Sequence, residues 1–392
     1  MPAAELLEHL TGRPPRTWRS LHLTGGPCAG KSTAKDELHR LAGTDGIRVI
    51  MVPEVASMLI DGGFSDIGLL AAEDPDRYLV VQGHGMIGIA RALREQYTRL
   101  AEALGPDPVL LVFDRAEFDA RAYMNDDEFF GLCAQQRLTV AELWSYDAVV
   151  HMVTAAQGAE QHYTLANNTA RRETPEQARE LDVRTLRAVT GHPHLRIADN
   201  RGSFTEKVDR VVDVALGLFG MPEPVEDERQ FLLAAAPELR PDGTLAAVDA
   251  TAVEVEQTYL HSGVEGLEAR VRRRTWMGQS AYTVCVKDRR GDGPPVEHEE
   301  NVDAVQYAAL RFGADLNRRP IVKTRFCFPY RASYCELDRV AMPDGDELWK
   351  LEIEKVTADE RIDIPDFLDI AREVTGDPAF SMARIAATPA RS

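Results

Sequence analysis

The sequence predicts two folded units: an α/β domain built on a parallel sheet, followed by an antiparallel α+β barrel that carries charge on its inner face. Three observations predict this. A glycine-rich loop, Gly25-Gly26-Pro27-Cys28-Ala29-Gly30-Lys31-Ser32, lies between an apolar run and a helical segment. Apolar strand-like runs alternate with helical segments from about Trp18 to Gly220, the pattern of a parallel sheet covered on both faces. Beyond Gly220, charged residues recur at spacing two within strand-like segments, so each of those strands has one charged face.

The loop has the Gly-x4-Gly-Lys-Ser pattern of a phosphate-binding turn between strand and helix. Glycines let the backbone curl with its N–H groups pointing inward around phosphate oxygens. The following helix, expected over Ser32–Leu41, aims its positive end at the same place. The binding set is therefore Gly25, Gly26, Pro27, Cys28, Ala29, Gly30, Lys31, Ser32 and Thr33. Lys31 reaches the outer phosphates of a nucleoside triphosphate, and Ser32 is a ligand for Mg²⁺.

The parallel strands are read at Ser20–Leu23, Arg48–Val52, Val109–Phe113, Ala148–Val153 and Leu195–Ile197, with a long helical stretch over Tyr78–Leu104. Functional residues of such sheets lie at the carboxyl ends of the strands. Glu54 ends the second strand, either as a crevice acid or as a helix N-terminal charge. Asp114 follows an apolar run as a metal-holding acid does, and Arg115 beside it is a phosphate clamp. Thr174-Pro175 reads as the start of a helix. Arg171 and Arg172 just ahead of it are either a solvated basic loop or a lid that neutralises transferring phosphate.

Gly-Gly-Pro-Cys-Ala-Gly-Lys-Ser-Thr, Val-Pro-Glu-Val-Ala and the set Asp114, Arg115, Asp119, Tyr123 together resemble a P-loop family close to the nicotinamide riboside kinase domain, over most of residues 19–217. The resemblance implies small-molecule kinase ancestry, with Glu54 as the base on the acceptor hydroxyl.

Gly220-Met221-Pro222-Glu223-Pro224-Val225 reads as a linker. The expected layout is an N-terminal arm at 1–18, the nucleotide domain at 19–219, the linker at 220–225 and the barrel at 226–392. In the barrel the charge pairs are Glu226/Glu228, Glu254/Glu256, Arg270/Arg272/Arg274, Glu297/Glu299, Lys323/Arg325, Glu336/Asp338 and Glu352/Glu354. A solvated sheet face accounts for any one of them. Clustering of like charges by strand favours an interior in which acidic strands hold metal and basic strands hold phosphate oxygens.

Glu226-Asp227-Glu228-Arg229-Gln230, Val255–Leu260, the later charged strands in order and Val374-Thr375-Gly376-Asp377 resemble the CYTH, or triphosphate tunnel, superfamily. The resemblance assigns Glu226, Glu228, Glu352 and Glu354 to metal, and Arg270, Arg272, Lys287, Lys323 and Arg325 to a polyanion. Gln230 stands where that family has a lysine, which counts against triphosphate hydrolysis. The two halves together resemble the P-loop–tunnel proteins typified by an insect photoreceptor channel-translocation protein, a type that binds GTP and phosphatidic acid.

Three functions are expected in order. The first is an Mg²⁺- or Mn²⁺-dependent phosphotransferase or NTPase using ATP or GTP, with an anion-binding tunnel. The second is a nucleotide-dependent switch that binds an anionic lipid or partner. The third is a triphosphate hydrolase acting in the tunnel. The net charge of −18 argues against a nucleic-acid partner. Five scattered cysteines without a C-x-x-C pair read as reduced thiols. With no long apolar run, the expectation is a cytoplasmic protein without a membrane span.

Overall fold

Two sheets organise the chain in the computed structural model, which describes residues 1–41, 46–64, 67–163, 173–221, 228–290, 296–355 and 361–387. The units are Arg16–Met221, and Met1–Pro15 together with Pro222–Ser392. The N-terminal segment therefore differs from the separate arm expected. It forms α1 (Ala3–Thr11), whose apolar face (Ala3, Leu6, Leu7) packs with Val271, Val284 and Val286 of the second unit. Residues at helical spacing could not by themselves say which sheet they would cover.

In the first unit, β1 (Trp18–Gly25) leads through the glycine loop into α2 (Lys31–Leu41), then β2 (Arg48–Val52). Helices α3 (Val55–Asp61), α4 (Ile67–Glu73) and α5 (Pro75–Val80) follow, and a π-helical segment, Val81–Gly88, runs into α6 (Ile89–Ala103). The long helical stretch expected there is thus broken by one wide turn, as glycines at 83, 85 and 88 permit. β3 (Val109–Asp114), a 3₁₀ segment over Glu117–Tyr123, α7 (Asp126–Gln135), α8 (Val140–Leu143) and β4 (Ala148–Met152) come next. α9 (Pro175–Val189), β5 (Leu195–Ala198) and α10 (Phe204–Gly217) complete the unit.

The five strands lie in the order β2-β3-β1-β4-β5, and each pairs parallel to its neighbours. This is the parallel sheet the sequence predicts. On one face Leu21, Leu23, Leu110, Val112 and Met152 pack under Leu38 of α2 and Val211 of α10. Burying each leucine or valine contributes roughly 1.5–3 kcal/mol. The alternate residues of β1, His22 and Thr24, are fully buried on the opposite face. Buried polar groups need partners, and these find Asp119 of the 3₁₀ segment.

The second unit is one nine-stranded sheet in the order β10-β9-β8-β7-β11-β12-β13-β6-β14. Its strands are β6 (Glu228–Leu233), β7 (Thr251–Leu260), β8 (Leu267–Trp276), β9 (Gln279–Asp288) and β10 (Val296–Val302), then α11 (Ala304–Leu310). β11 (Ile321–Tyr330), β12 (Ser333–Ala341), β13 (Glu347–Glu354), β14 (Ile370–Glu373) and α12 (Met382–Ala386) follow. Every pairing is antiparallel. The first strand, β6, inserts between β13 and β14, so opposite ends of this part of the chain are knitted together.

Register puts the charges on one face. Arg272 faces Gln257 and Thr283; Lys323 faces Val255 and Val340; Asp338 faces Arg325 and Lys350; Glu352 faces Glu336 and Gln230. The other face is apolar: Val271 and Val284 are covered by α1, and Phe326, Leu337 and Leu351 pack with Leu245 and Leu368. Asp338 and Lys350 are nevertheless almost wholly buried, at 0% and 1% exposure. An open flat sheet would leave that face wet, so the sheet curls and encloses its charges. At one end of the charged face, Ile385 and Ala386 of α12 pack on Tyr259, Ile321 and Val340. That end is plugged by an apolar cluster.

Candidate functional site

Four strand ends of the first sheet converge on a cavity of about 1200 Å³ lined by Lys31, Ser32, Glu54, Asp114, Arg115 and Asp119, among others. The loop after β1 is held open by tight packing at its glycines. Gly25 has φ of +142°, and a Cβ there would sit 2.1 Å from the Met152 carbonyl oxygen. Gly30 has φ of +95°, and a Cβ there would strike the Phe204 ring at 2.5 Å. Only glycine meets both demands. All nine predicted loop residues, 25–33, belong to this turn and the start of α2.

Lys31 is the first residue of α2 and donates to the Gly25 carbonyl at 3.3 Å. Burial and the nearby Arg115 charge push its ammonium down to about 8. A lysine so placed is short of negative charge, which phosphate oxygens supply.

Glu54 and Arg115 meet as the strand-end argument expects. Arg115 Nε lies 3.4 Å from Glu54 Oε1, and its guanidinium also donates to Asp119 Oδ1 at 3.1 Å and to the Gly25 carbonyl at 3.0 Å. Arg115 adopts φ of +64°, a strained backbone for a non-glycine residue. Ser57 Oγ donates to Glu54 Oε2 at 2.6 Å. Asp119, not assigned a role from sequence, anchors this array: it accepts from Thr24 Oγ1, from the Ala116 amide at 2.8 Å, and lies 2.6 Å from His22 Nε2. Burial pushes its carboxyl up, but His22 and Arg115 outweigh that and hold it well below the usual range.

Asp114 takes Lys35 Nζ on Oδ2 at 2.5 Å, while its Oδ1 is buried without a hydrogen-bond partner among the described residues. Ser32 lines the same cavity. A carboxylate oxygen without a partner and a hydroxyl lining the same cavity are oxygen donors of the kind a divalent cation takes.

Asp182 of α9 is a second residue the sequence did not single out. Its Oδ1 accepts from the Gly26 and Thr154 amides, each at 2.9 Å. Burial raises this carboxyl, but His151 and the two amides outweigh it and keep it ionised. Asp182 thus ties the helix behind Arg171 and Arg172 to the phosphate loop. Asp182→Ala is expected to weaken nucleotide binding about tenfold, as two buried N–H groups lose their acceptor; isothermal titration with a non-hydrolysable ATP or GTP analogue measures it. Arg171 and Arg172 themselves lie outside the described residues, as does Glu226.

In the second unit the predicted cations do share the enclosed face, but each is met by an acid. Arg325 binds Asp338 in a two-pronged pair, both bonds 2.8 Å, and also bonds Glu336 and Glu352. Lys323 bonds Asp338, and Arg270 bonds Glu297. Arg272 and Arg274 lie 3.5 and 3.6 Å from the Glu299 carboxylate, and Lys287 lies 3.7 Å from Glu297.

Glu352, expected to hold metal, accepts from Arg325 and from Lys350 Nζ at 2.7 Å. Lys350 lies at spacing two on the same strand, whereas Arg325 comes from β11, two strands away. Gln230 donates its amide to Glu228. Glu228 faces Glu354 across β6 and β13. Glu254/Glu256 break the expected pattern, since Glu256 points to the opposite face and pairs with Arg273 and Arg311.

The compensation is incomplete. Burial and Arg325 push Lys323 down to about 8; burial and Arg272 push Arg274 down to about 10. Arg325 and Arg270, each held by carboxylates, are shifted the opposite way, above the usual guanidinium range.

The first unit is thus a P-loop nucleotide-binding domain, defined by loop, sheet order and strand-end residues. Residues 21–207, just under half of the chain, match the family model described as an AAA domain. No curated protein matches the chain. Among solved structures, the inorganic triphosphatase NE1496 is 23% identical over 42% of this chain and 95% of its own, with a TM-score of 0.30. Deoxyadenosine kinase from M. mycoides, with bound dATP, is 13% identical over 50% of this chain and 97% of its own, with a TM-score of 0.32. A Hippeastrum protein described as a putative adenylyl cyclase with dominant triphosphatase activity is 12% identical over 34% and 80%, with a TM-score of 0.23. Among the described residues no helix is long and apolar enough to cross a membrane.

Proposed function

We propose that the first unit is a phosphotransferase that moves the γ-phosphoryl group of ATP or GTP to a small-molecule hydroxyl, while the second unit binds a polyphosphate or similar anion. The observation that carries the first part is the Glu54–Arg115 pair, 3.4 Å apart, in the same cavity as Lys31 and Asp114. A loop that only binds nucleotide needs no acid there.

Glu54 takes the proton from the acceptor hydroxyl. The acceptor oxygen forms its bond to the γ-phosphorus as the bond to the β–γ bridging oxygen breaks, and that electron pair leaves on the nucleoside diphosphate. Lys31 and the loop amides hold the outer phosphates, and Arg115 stabilises charge on the transferred group. Ser32 and Asp114 would hold Mg²⁺ or Mn²⁺, which when bound neutralises phosphate charge and aligns the phosphates. Arg171 and Arg172 are proposed to close over them.

The test is to incubate the full chain with Mg²⁺, ATP or GTP and a broad panel of alcohols, reading products by mass spectrometry. Phosphorylated acceptor and nucleoside diphosphate are expected, both abolished by Lys31→Ala. Diphosphate and phosphate with no phosphorylated acceptor would make the unit an NTPase instead.

The lowered proton affinity of Lys323 and Arg274 favours an anion in the second unit. Glu228 and Glu354, facing one another, are the proposed position for a tunnel cation. Lys323 is protonated below its folded-state pKa of about 8 and neutral above it, so rising pH removes a charge from the site. Tripolyphosphate affinity is therefore expected to fall roughly tenfold from about pH 7 to about pH 9. Titration calorimetry in a Lys31→Ala background isolates this site. Lys323→Met should bind weakly throughout and lose most of the pH step; an unaltered step would assign it to another group.

A further inference from the structure

Asp114 closes β3 as the acid proposed for the metal, yet neither of its carboxylate oxygens is open to an ion. Oδ1 is buried, with no hydrogen-bond partner among the described residues. Oδ2 is held by Lys35 Nζ at 2.5 Å. The pair joins residues 79 positions apart, so packing of α2 on the sheet makes it. Ala34 and Leu38 of α2 are fully buried in the core beneath, which fixes where the Lys35 stem starts. The Lys35 side chain itself remains 30% exposed. A flexible four-carbon stem that is part-exposed can swing its ammonium away without disturbing the core.

Charge around Asp114 is balanced in the same way. Lys35 pairs with Asp114, and Arg115 pairs with Glu54 and Asp119. Burial lowers the proton affinity of Lys31, and the nearby Asp114 charge works against that. Lys31, Lys35 and Arg115 thus stand against Glu54, Asp114 and Asp119. These six groups offer no surplus negative charge to a divalent cation arriving alone, and leaving water is costly for an ion without it. A nucleoside triphosphate brings the missing negative charge.

We propose that Lys35 is a displaceable counter-ion that occupies the metal acid until nucleotide arrives, so that a divalent cation enters this site only together with the triphosphate. The inference rests on the assignment of Ser32 and Asp114 to Mg²⁺ or Mn²⁺ above, and adds an order of binding to it. In the free protein Lys35 neutralises Asp114. When a triphosphate enters, its oxygens draw Lys31 and compete with Asp114 for Lys35, which frees the carboxylate.

The experiment measures Mn²⁺ binding to the full chain by electron paramagnetic resonance of the unbound ion, without nucleotide. Calorimetry then reads the affinity of a non-hydrolysable ATP or GTP analogue with and without Mn²⁺. Lys35→Met keeps the stem and loses the charge; Lys35→Arg keeps the charge. Adding Asp114→Asn to the wild type and to Lys35→Met isolates ions that need Asp114 from any bound in the second unit. Without nucleotide, Lys35→Met should strengthen Asp114-dependent Mn²⁺ binding at least about tenfold, and Asp114→Asn should abolish the gain. Linkage then requires that Mn²⁺ raise analogue affinity by a factor about ten times smaller in Lys35→Met than in the wild type. Lys35→Arg should follow the wild type.

Equal Mn²⁺ affinity of nucleotide-free wild type and Lys35→Met overturns the inference and leaves the metal assignment standing. So does a gain that persists equally with the analogue bound, since Lys35 would then never leave Asp114. Lys35→Arg behaving as Lys35→Met also overturns it, because packing and not charge would be at work. If Mn²⁺ leaves the wild type's analogue affinity unchanged, the metal assignment itself falls and takes this inference with it.

Discussion

Glu54→Gln is expected to lower turnover by about 10²- to 10⁴-fold while nucleotide affinity stays within about twofold. Glutamine keeps the shape of the side chain: its amide oxygen still faces the Arg115 guanidinium at 3.4 Å, and its NH₂, in the place of Oε2, can donate to the Ser57 hydroxyl at 2.6 Å. What it cannot do is accept a proton. The loss should therefore fall on kcat and not on binding of the triphosphate, which the loop and Lys31 hold. Single-turnover phosphotransfer beside calorimetric nucleotide binding separates the two. A loss below about threefold would remove Glu54 from the chemistry. An equal loss in nucleotide affinity would instead make it a partner that orients Arg115.

The second large effect concerns the enclosed face of the antiparallel sheet. Asp338→Ala is expected to destabilise that unit by about 3–5 kcal/mol, since it leaves Lys323 a buried cation without its carboxylate and takes from Arg325 its two-pronged partner, leaving it Glu336 and Glu352. Asp338 is fully buried and accepts two bonds from Arg325 at 2.8 Å as well as one from Lys323. Mutating Lys323→Met together with Asp338→Leu should restore much of the stability, because it removes the stranded cation while Arg325 keeps Glu336 and Glu352, and the penalty lies in an unpaired charge and not in a lost attraction. Denaturant unfolding, with hydrogen exchange resolving the two units, measures this. Equal destabilisation by the double and single variants would show that shape, not charge pairing, holds the face together.

These effects draw on information of different reach. The glycine loop, the strand ends at Glu54 and Asp114 and the helix start at Thr174 are local. Glycine at a positive φ, an acid after an apolar run and a threonine before Pro175 announce themselves within a few residues. Thr174 does cap α9, accepting from the Gln177 amide, and Pro175 opens the helix. Asp182 carries no such signal. It reads as one more charge on an amphipathic helix, and its role exists only because α9 lies against the loop after β1.

The tunnel charges show the same limit. Spacing two placed Lys323, Arg325, Glu336, Asp338 and Glu352 on one side of their strands, and they do share a face. It could not say which acids would meet which cations. Glu352 pairs with Lys350 on its own strand and with Arg325 two strands away, and Glu256 faces the other side, because strand order and register set those pairings.

The sequence by itself therefore determined the parallel nucleotide domain, its phosphate loop, its strand-end acids and the existence of a charged sheet face, because periodicity and backbone conformation are short-range properties. Only the tertiary structure decided that α1 covers the second sheet, that Asp182 anchors the loop, that Asp119 holds Arg115, and which acids of the enclosed face meet which cations. Each of these is a contact between residues far apart in the chain, where burial makes pairing obligatory but local sequence does not name the partner.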